Sequence, residues 1–313
     1  KDGGFDNKSN KLQWQNSIEK DPKNMFSLTK KAIDFIDRQT QSDNPFFLQL
    51  SHYAVHSNIL MRKETLKKYK NTPKGKYQKH AGFAAMTEDL DESLGLLIAK
   101  IEELGIEDNT YIIYTSDNGS VPVMPPKRVY EESYNYPLSR GKWDANEGGI
   151  RVPFIVVGPG IEKDVESKSI ISFSDILPTV VDLAGKKIKD DKFLDGGSLK
   201  HVLKNHKKTK VKRNMDGLFF HVPYENGIAL KRAHSAVILD NFKLIKFYDD
   251  NQLMLFDLDK DLSEKTDLSS INLKQALELE LLLDNYLKKV KAPKWKSGIH
   301  WRNKPIILIN SFH

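Results

Sequence analysis

The 313 residues are 39% hydrophobic and 29% charged, enough for one large α/β domain or a large domain with a small appendix. The net charge of +7 comes mostly from Lys spread along the chain, which reads as a solvated basic surface before it reads as a polyanion site. No cysteine is present, which excludes disulfides, thiolate zinc sites and a cysteine nucleophile within these residues, and no apolar run is long enough to cross a bilayer.

Residues 1–24 are polar and read as loop, and Lys1-Asp2-Gly3-Gly4-Phe5 has the character of mid-chain sequence rather than of a signal peptide. Ser27 is expected to cap a helix whose Leu28, Ala32, Ile33 and Ile36 share one face. Turn residues followed by an aromatic-aliphatic run predict a buried strand over Asn44–Ser51. The clearest helix is Phe83–Gly105, with Met86, Leu90, Leu94, Leu97, Ile98, Ile101 and Leu104 as its apolar stripe and Gly105 as its stop.

Thr110–Thr115 is a strand that runs into Ser116-Asp117-Asn118-Gly119, and residues 120–149 hold no convincing regular element. Val152–Gly160 reads as a second buried strand with a turn, and Ser174 as the cap of a helix that Gly185 ends. Buried strands alternating with amphipathic helices predict a mixed, mostly parallel sheet sandwiched by helices. After about residue 205 the character changes. A basic, exposed linker is followed by antiparallel hairpin signals, with a turn at Asp240-Asn241, and by a Leu-rich helix over Leu273–Val290. The expected division is a main α/β part over 1–205, a small antiparallel α+β subdomain over 206–292, and a tail over 293–313.

Several residues could carry chemistry. Asp117 and Asn118 follow a strand, where open sheets bind ligands, and offer hard oxygen donors suited to Ca²⁺ or Mg²⁺; a local Asx-turn uses the same residues. His52 and His56 stand four apart in "LSHYAVHSN", without the acid of a zinc-protease motif, and either one fits a loop histidine or a proton donor. Lys142 and Arg140 lie in a long Gly-rich loop and suit an anion, whereas Glu147 and Arg151 read as an ion pair holding that loop. No P-loop, G-x-G-x-x-G or G-x-S-x-G is present. "DLDKDLSEKTDL" fails the calcium-loop template, with Leu262 at the glycine position and Leu268 at the bidentate glutamate position.

The order of these stretches resembles the formylglycine-dependent sulfatases of the alkaline-phosphatase superfamily. The resemblance is carried by "PFFLQLSHYAVHSNI", "MTEDLDESLG", "NTYIIYTSDNG", "NYPLSRGKWDANEGGIRVPFIVVGPG" and "SFSDILPTVVDLAG", with "DGGSL", "FFHVPY", "FKLIKFY" and "LMLFDLDKDLSEKTDL" behind them, and it runs from about Met25 to Leu287. It implies an alkaline-phosphatase-like fold and hydrolysis of sulfate monoesters on a sulfated carbohydrate, with no nucleic acid partner. By the resemblance, Asp117 and Asn118 ligate the divalent cation, usually Ca²⁺, with Mg²⁺ as the variant; His56 contacts the sulfate and assists the leaving group; Lys142 binds sulfate oxygens; His221 faces substrate. Val55, Asn58 and Ser139 depart from the family pattern as tolerable variation.

The family nucleophile, a formylglycine made from Cys or Ser in C/S-x-P/A-x-R, has no counterpart here, nor have the N-terminal aspartate pair and the G-K-x-H element. The chain is therefore expected to be the C-terminal part of a sulfatase, inactive alone, with the nucleophile and an export signal upstream, the family being periplasmic or secreted. Two alternatives share the same residues: a non-catalytic sulfated-glycan-binding protein, and a phosphodiesterase or phosphonate monoester hydrolase of the superfamily.

Overall fold

A computed structural model describes residues 19–42, 44–56, 58–122, 135–189, 192–207, 209–225 and 232–294. They belong to two compact units, residues 1–111 and 112–313.

The first unit is helical. Helix α1 (Met25–Gln41) buries Met25, Thr29, Ala32 and Ile36, one stripe at helical spacing. Its first turn is closed by Asp21 rather than by the expected Ser27: the Asp21 carboxylate accepts from the N–H groups of Phe26 (2.8 Å) and Ser27 (3.2 Å). A carboxylate one turn upstream reaches orphan amides that a serine inside the helix cannot. Helices α2 (Lys63–Asn71) and α3 (Ala81–Glu103) are clasped by Asp89, which is fully buried and accepts from Arg62 N (2.7 Å), Arg62 Nε (2.9 Å) and Thr65 Oγ1 (2.7 Å). Helix α3 stops at Gly105 (φ 63°), as the sequence predicts, but Ile98 of its expected apolar stripe is exposed.

The expected strand at Asn44–Ser51 does not form among the described residues. No described strand pairs with it, and Phe47 is 65% exposed, because apolar β-formers make a strand only where a neighbour takes their amides.

In the second unit β1 (Ile112–Thr115) pairs antiparallel with β2 (Phe154–Val157), Ile112 opposite Val157 and Tyr114 opposite Ile155. That register places Tyr114, Ile155 and Val157 on one open face, so this ribbon is not buried on both sides. Between the strands lies the short turn α4 (Glu147–Ile150). Helix α5 (Ile176–Leu183) is entered through a 3₁₀ turn at Phe173–Asp175. Its cap is Ser172, in a capping box with Asp175, rather than the expected Ser174. Asp175, wholly buried, also holds Arg213 through Nε (2.9 Å) and Nη2 (2.6 Å), so the end of the basic linker is anchored rather than exposed. Helix α6 (Lys200–Leu203) follows.

Strands β3 (Leu218–Val222), β4 (His234–Leu239), β5 (Phe242–Phe247) and β6 (Leu253–Asp257) form an antiparallel meander, turning at Asp240 (φ 50°) as expected. Every strand pair among the described residues is antiparallel. One face of the meander, Val237, Leu244 and Leu255, packs on Ala276, Leu279 and Leu283 of α7 (Leu273–Lys289). Each fully buried Leu there stabilises the unit by roughly 1.5–3 kcal/mol. The other face, Ala236, Ile245, Phe247 and Phe256, packs on Ala145 of the loop that precedes α4.

That second face also carries a lysine. Lys243 Nζ, with no exposed side-chain surface, lies 3.0 Å from Glu147 Oε1 and 2.8 Å from Glu264 Oε1. Burial alone would push the Glu147 carboxyl up, but Lys243 and Arg151 outweigh it and hold it below the usual range. Removing the cation leaves two buried carboxylates facing each other. Lys243→Met is expected to destabilise the unit by about 3–5 kcal/mol in denaturant unfolding, whereas a surface substitution such as Lys274→Met should cost about 0.5 kcal/mol or less.

Candidate functional site

Strand β1 delivers Asp117 and Asn118 at its carboxyl end, and the chain then turns beneath α4. Gly119 N–H donates to Gly149 O (2.9 Å), Lys142 N–H to Ser120 O (2.8 Å) and Gly148 N–H to Ser139 O (2.8 Å). Asn135 Nδ2 crosses the loop to Arg140 O (2.6 Å) and Ser120 O (3.2 Å). Backbone approaches backbone so closely that a Cβ on Gly119 would lie 1.9 Å from Gly148 O, and one on Gly149 would lie 2.2 Å from Asp144 O. Glycine is required at both positions by contact.

This mesh joins Asp117, Asn118 and Lys142. Asn118 Nδ2 donates to its neighbour Gly119 O (3.0 Å), which leaves the amide Oδ1 as an acceptor. The Asp117 carboxylate is exposed and has no hydrogen bond or ion pair among the described residues; in particular it forms no Asx-turn. Lys142 Nζ is likewise without a carboxylate partner among the described residues and lies 6.0 Å from the Trp143 ring. Two hard oxygen donors and a primary ammonium on one stapled loop suit a divalent cation beside an anion.

The loop is held from below by residues that sequence reasoning passed over. Glu264 Oε2 accepts from Glu147 N–H (2.8 Å), Asn146 Nδ2 (3.3 Å) and the Ser139 hydroxyl. Arg151 Nη1 meets Glu147 Oε2 at 3.0 Å, the ion pair that the sequence predicts. His234 Nε2 accepts from Ala145 N–H (2.9 Å) while Nδ1–H donates to Arg232 O (2.8 Å), which sets the tautomer of a fully enclosed neutral ring. The one sequence signal for this support is Lys243, a cation at the same strand parity as Ile245 and Phe247.

The remaining candidates are His221, His52 and His56. His221, in β3, uses both ring nitrogens: Nε2–H donates to Pro293 O (2.7 Å), and Nδ1 accepts from Ser235 Oγ (2.6 Å), which accepts in turn from Tyr248 OH (2.6 Å). Burial lowers the His221 pKa, and the Pro293 carbonyl opposes that. His52 and His56 belong to the first unit. His56 is exposed; His52 has both ring nitrogens buried without a hydrogen-bond partner, and burial lowers its pKa against the nearby Asp21.

Two outcomes test this construction. Gly119→Ala must push α4 away from the β1 turn and is expected to cost about 1–3 kcal/mol in thermal or denaturant unfolding, whereas Gly95→Ala, with open space around it, should not destabilise. For His234, burial lowers the folded pKa from 6.5 to about 4. The unfolded chain therefore takes up the proton first, so the contribution is complete above pH 6.5 and is lost as the pH falls towards 4. The loss should approach roughly 3 kcal/mol, and His234→Gln should flatten this part of the stability profile.

Comparison with known proteins gives the geometry a family. The Sulfatase family model matches residues 3–186, and that of the N-sulphoglucosamine sulphohydrolase C-terminal region matches residues 142–292. A sulfatase of Formosa agariphila is 31% identical over 293 residues, covering 87% of this chain and 51% of that protein. The N-acetylgalactosamine-6-sulfatase of Rattus norvegicus is 33% identical over 168 residues, covering 53% of this chain and 30% of that protein. The chain thus spans about half, or less, of the length of these relatives. Among solved structures, Ps i-CgsB in complex with k-i-k-neocarrahexaose aligns with a TM-score of 0.70 at 22% identity, over 91% of this chain and 58% of that one. A protein solved with its substrate D-glucosamine-2-N,6-O-disulfate aligns with a TM-score of 0.65 at 22% identity, over 85% of this chain and 70% of that one. These likenesses show the alkaline-phosphatase-like fold. The chain is a member of the sulfatase family.

Proposed function

We propose that the protein hydrolyses sulfate monoesters on a sulfated carbohydrate, and that the mesh around Asp117, Asn118 and Lys142 is this chain's share of the active site. The observation that carries the reading is that one backbone-stapled loop bears a carboxylate and an ammonium with no charged partner among the described residues, and an amide oxygen. Family membership supports the reaction class, and the relatives that act on or bind sulfated sugars support the substrate class.

Asp117 and the Asn118 Oδ1 would hold a divalent cation, Ca²⁺ or Mg²⁺, with further ligands supplied from other residues, since Ca²⁺ takes six to eight oxygens. Bound there, it supplies Lewis-acid stabilisation of charge on the sulfate. As the S–O bond of a sulfate ester breaks, negative charge grows on the bridging and peripheral oxygens. The Lys142 backbone is fixed by its bond to Ser120, and its ammonium would supply the counter-charge to the sulfate oxygens. His56 is the proposed proton donor to the departing alkoxide. His221 takes no direct part in this reading, because both its nitrogens are engaged. These residues hold no C/S-x-P/A-x-R stretch, so the reading places the formylglycine nucleophile elsewhere in the protein.

Lys142→Ala in the complete enzyme should lower kcat/KM for a sulfated sugar by about 10²–10³-fold, and removal of divalent cations with EDTA should have a comparable effect on the parent. Asp117→Ala should abolish the rescue by added Ca²⁺. Unchanged kinetics in Lys142→Ala overturn the role of that lysine. Metal-dependent turnover of 4-nitrophenyl sulfate by the 313-residue chain alone overturns the placement of the nucleophile outside it.

A further inference from the structure

The positive charge of this chain is not evenly distributed. Residues 186–213 hold 11 Lys and Arg against 3 Asp, a net +8, while the chain as a whole carries +7. The remaining 285 residues are therefore close to neutral, and the basic character belongs to one 28-residue segment.

The fold makes that segment a platform. Leu199, Val202 and Val211 are buried together against Phe154 and Ile171, and the chain returns after α6 with His201 Nε2 2.8 Å from Lys210 O. Helix α5 anchors it: Thr179 Oγ1 accepts from Leu199 N–H (2.8 Å), and Asp182 takes the Ser198 hydroxyl (2.6 Å) and Lys200 Nζ (3.0 Å). Gly197 sits so close to the returning chain that a Cβ would lie 2.0 Å from Lys212 O. Lys186 N–H closes the end of α5 on Val181 O (2.9 Å), which brings Lys186 and Lys187 to the same end as Asp182.

Two of the cations are consumed by this architecture, Lys200 on Asp182 and Arg213 on Asp175. Lys186, Lys187, Lys189, Lys204, Lys207, Lys210 and Lys212 are exposed and make no ion pair among the described residues. Seven ammonium groups without an ion pair among the described residues give this segment a positive potential that a polyanion would neutralise. Beside them Phe193 is 79% exposed with Lys192 Nζ 4.9 Å from its ring centroid, a flat apolar face of the kind on which a sugar ring can lie.

We propose that residues 186–213 are a second binding surface, separate from the Asp117–Lys142 mesh, that holds the chain of a sulfated polysaccharide away from the ester being cleaved. The choice of a sulfated glycan over other polyanions rests on the function proposed above; the presence of an anion-binding surface rests on the charge count and the anchoring alone. Lysine ammonium groups act as point charges towards separate sulfates along a polymer, and such contacts are strongly salt-dependent.

The test compares the full protein with Lys204→Glu/Lys207→Glu/Lys210→Glu/Lys212→Glu and with an equal charge change elsewhere, Lys31→Glu/Lys67→Glu/Lys274→Glu/Lys288→Glu. Dextran sulfate affinity at about 0.15 M salt should fall at least about tenfold in the first variant and about twofold or less in the second. Equal losses in both variants overturn the proposal, because net charge alone then explains binding. Tighter binding of single-stranded DNA than of dextran sulfate also overturns it. Should the glutamate variant misfold by circular dichroism, the corresponding glutamine variant carries the same expectation of a preferential loss. Turnover of 4-nitrophenyl sulfate separates this surface from the active site. Dextran sulfate binding that depends on the four lysines in a protein without turnover keeps the surface and removes the sulfatase reading. Full turnover with unchanged binding in the variant does the reverse.

Discussion

A single buried ammonium organises the second unit. Lys243 rises from the meander between Glu147 and Glu264 in a space closed to solvent, and the exposed Arg151 reaches the far side of Glu147. Desolvating such a group is costly, and its Coulomb energy roughly offsets that cost. Its value is positional. A lysine on a strand can meet both carboxylates only if the 139–151 loop and the turn bearing Glu264 occupy one arrangement relative to the sheet. Glu264 converts that constraint into backbone geometry by accepting from Glu147 N–H, Asn146 and Ser139.

The irregular loop above inherits this order. It has almost no regular secondary structure, yet its peptide groups are satisfied by one another across the glycines at 119, 141, 148 and 149. Because backbone carries the structural load, the side chains of Asp117 and Lys142 have no structural partner among the described residues, as the proposed ligand role requires. A site that stabilises developing charge needs polar groups already in place before the reaction, and a loop fixed by sheet, ion cluster and glycine contacts supplies them. His234 contributes the same way from one strand over, as a neutral acceptor for a single loop amide.

Charge is used in two opposite ways in the same unit. Around Lys243 the ammonium and both carboxylates are buried and matched; over residues 186–213 seven lysines are exposed without an ion pair among the described residues. The first pattern fixes a loop, and the second is the basis of the binding surface proposed for that segment. Asp175 extends the first pattern to the edge of the second: it caps the turn before α5 and pairs with Arg213, the last cation of the basic segment.

Local signals in the chain were enough for the helix stop at Gly105, the hairpin turn at Asp240, the α7 helix and the Glu147–Arg151 pair, because each depends on residues at most a few positions apart. The ordered motifs from "PFFLQLSHYAVHSN" to "LMLFDLDKDL" were enough for the family. Other features depended on distant partners. Asn44–Ser51 has strand composition but no described neighbour to pair with, and Ser27 and Ser174 yielded their capping roles to Asp21 and Ser172. Lys243 carries no local sign of its role because its partner Glu147 lies 96 residues away, and Glu264 fell within the stretch that fails the calcium-loop template while the Glu147 N–H it holds lies 117 residues away. Residue chemistry nominated oxygen donors and an anion-binding cation, and the resemblance to sulfatases gave them their expected metal and sulfate roles. Only the tertiary structure decided that Asp117, Asn118 and Lys142 share one mesh while His221 is occupied elsewhere, because hydrogen bonds between segments far apart in the chain set those positions.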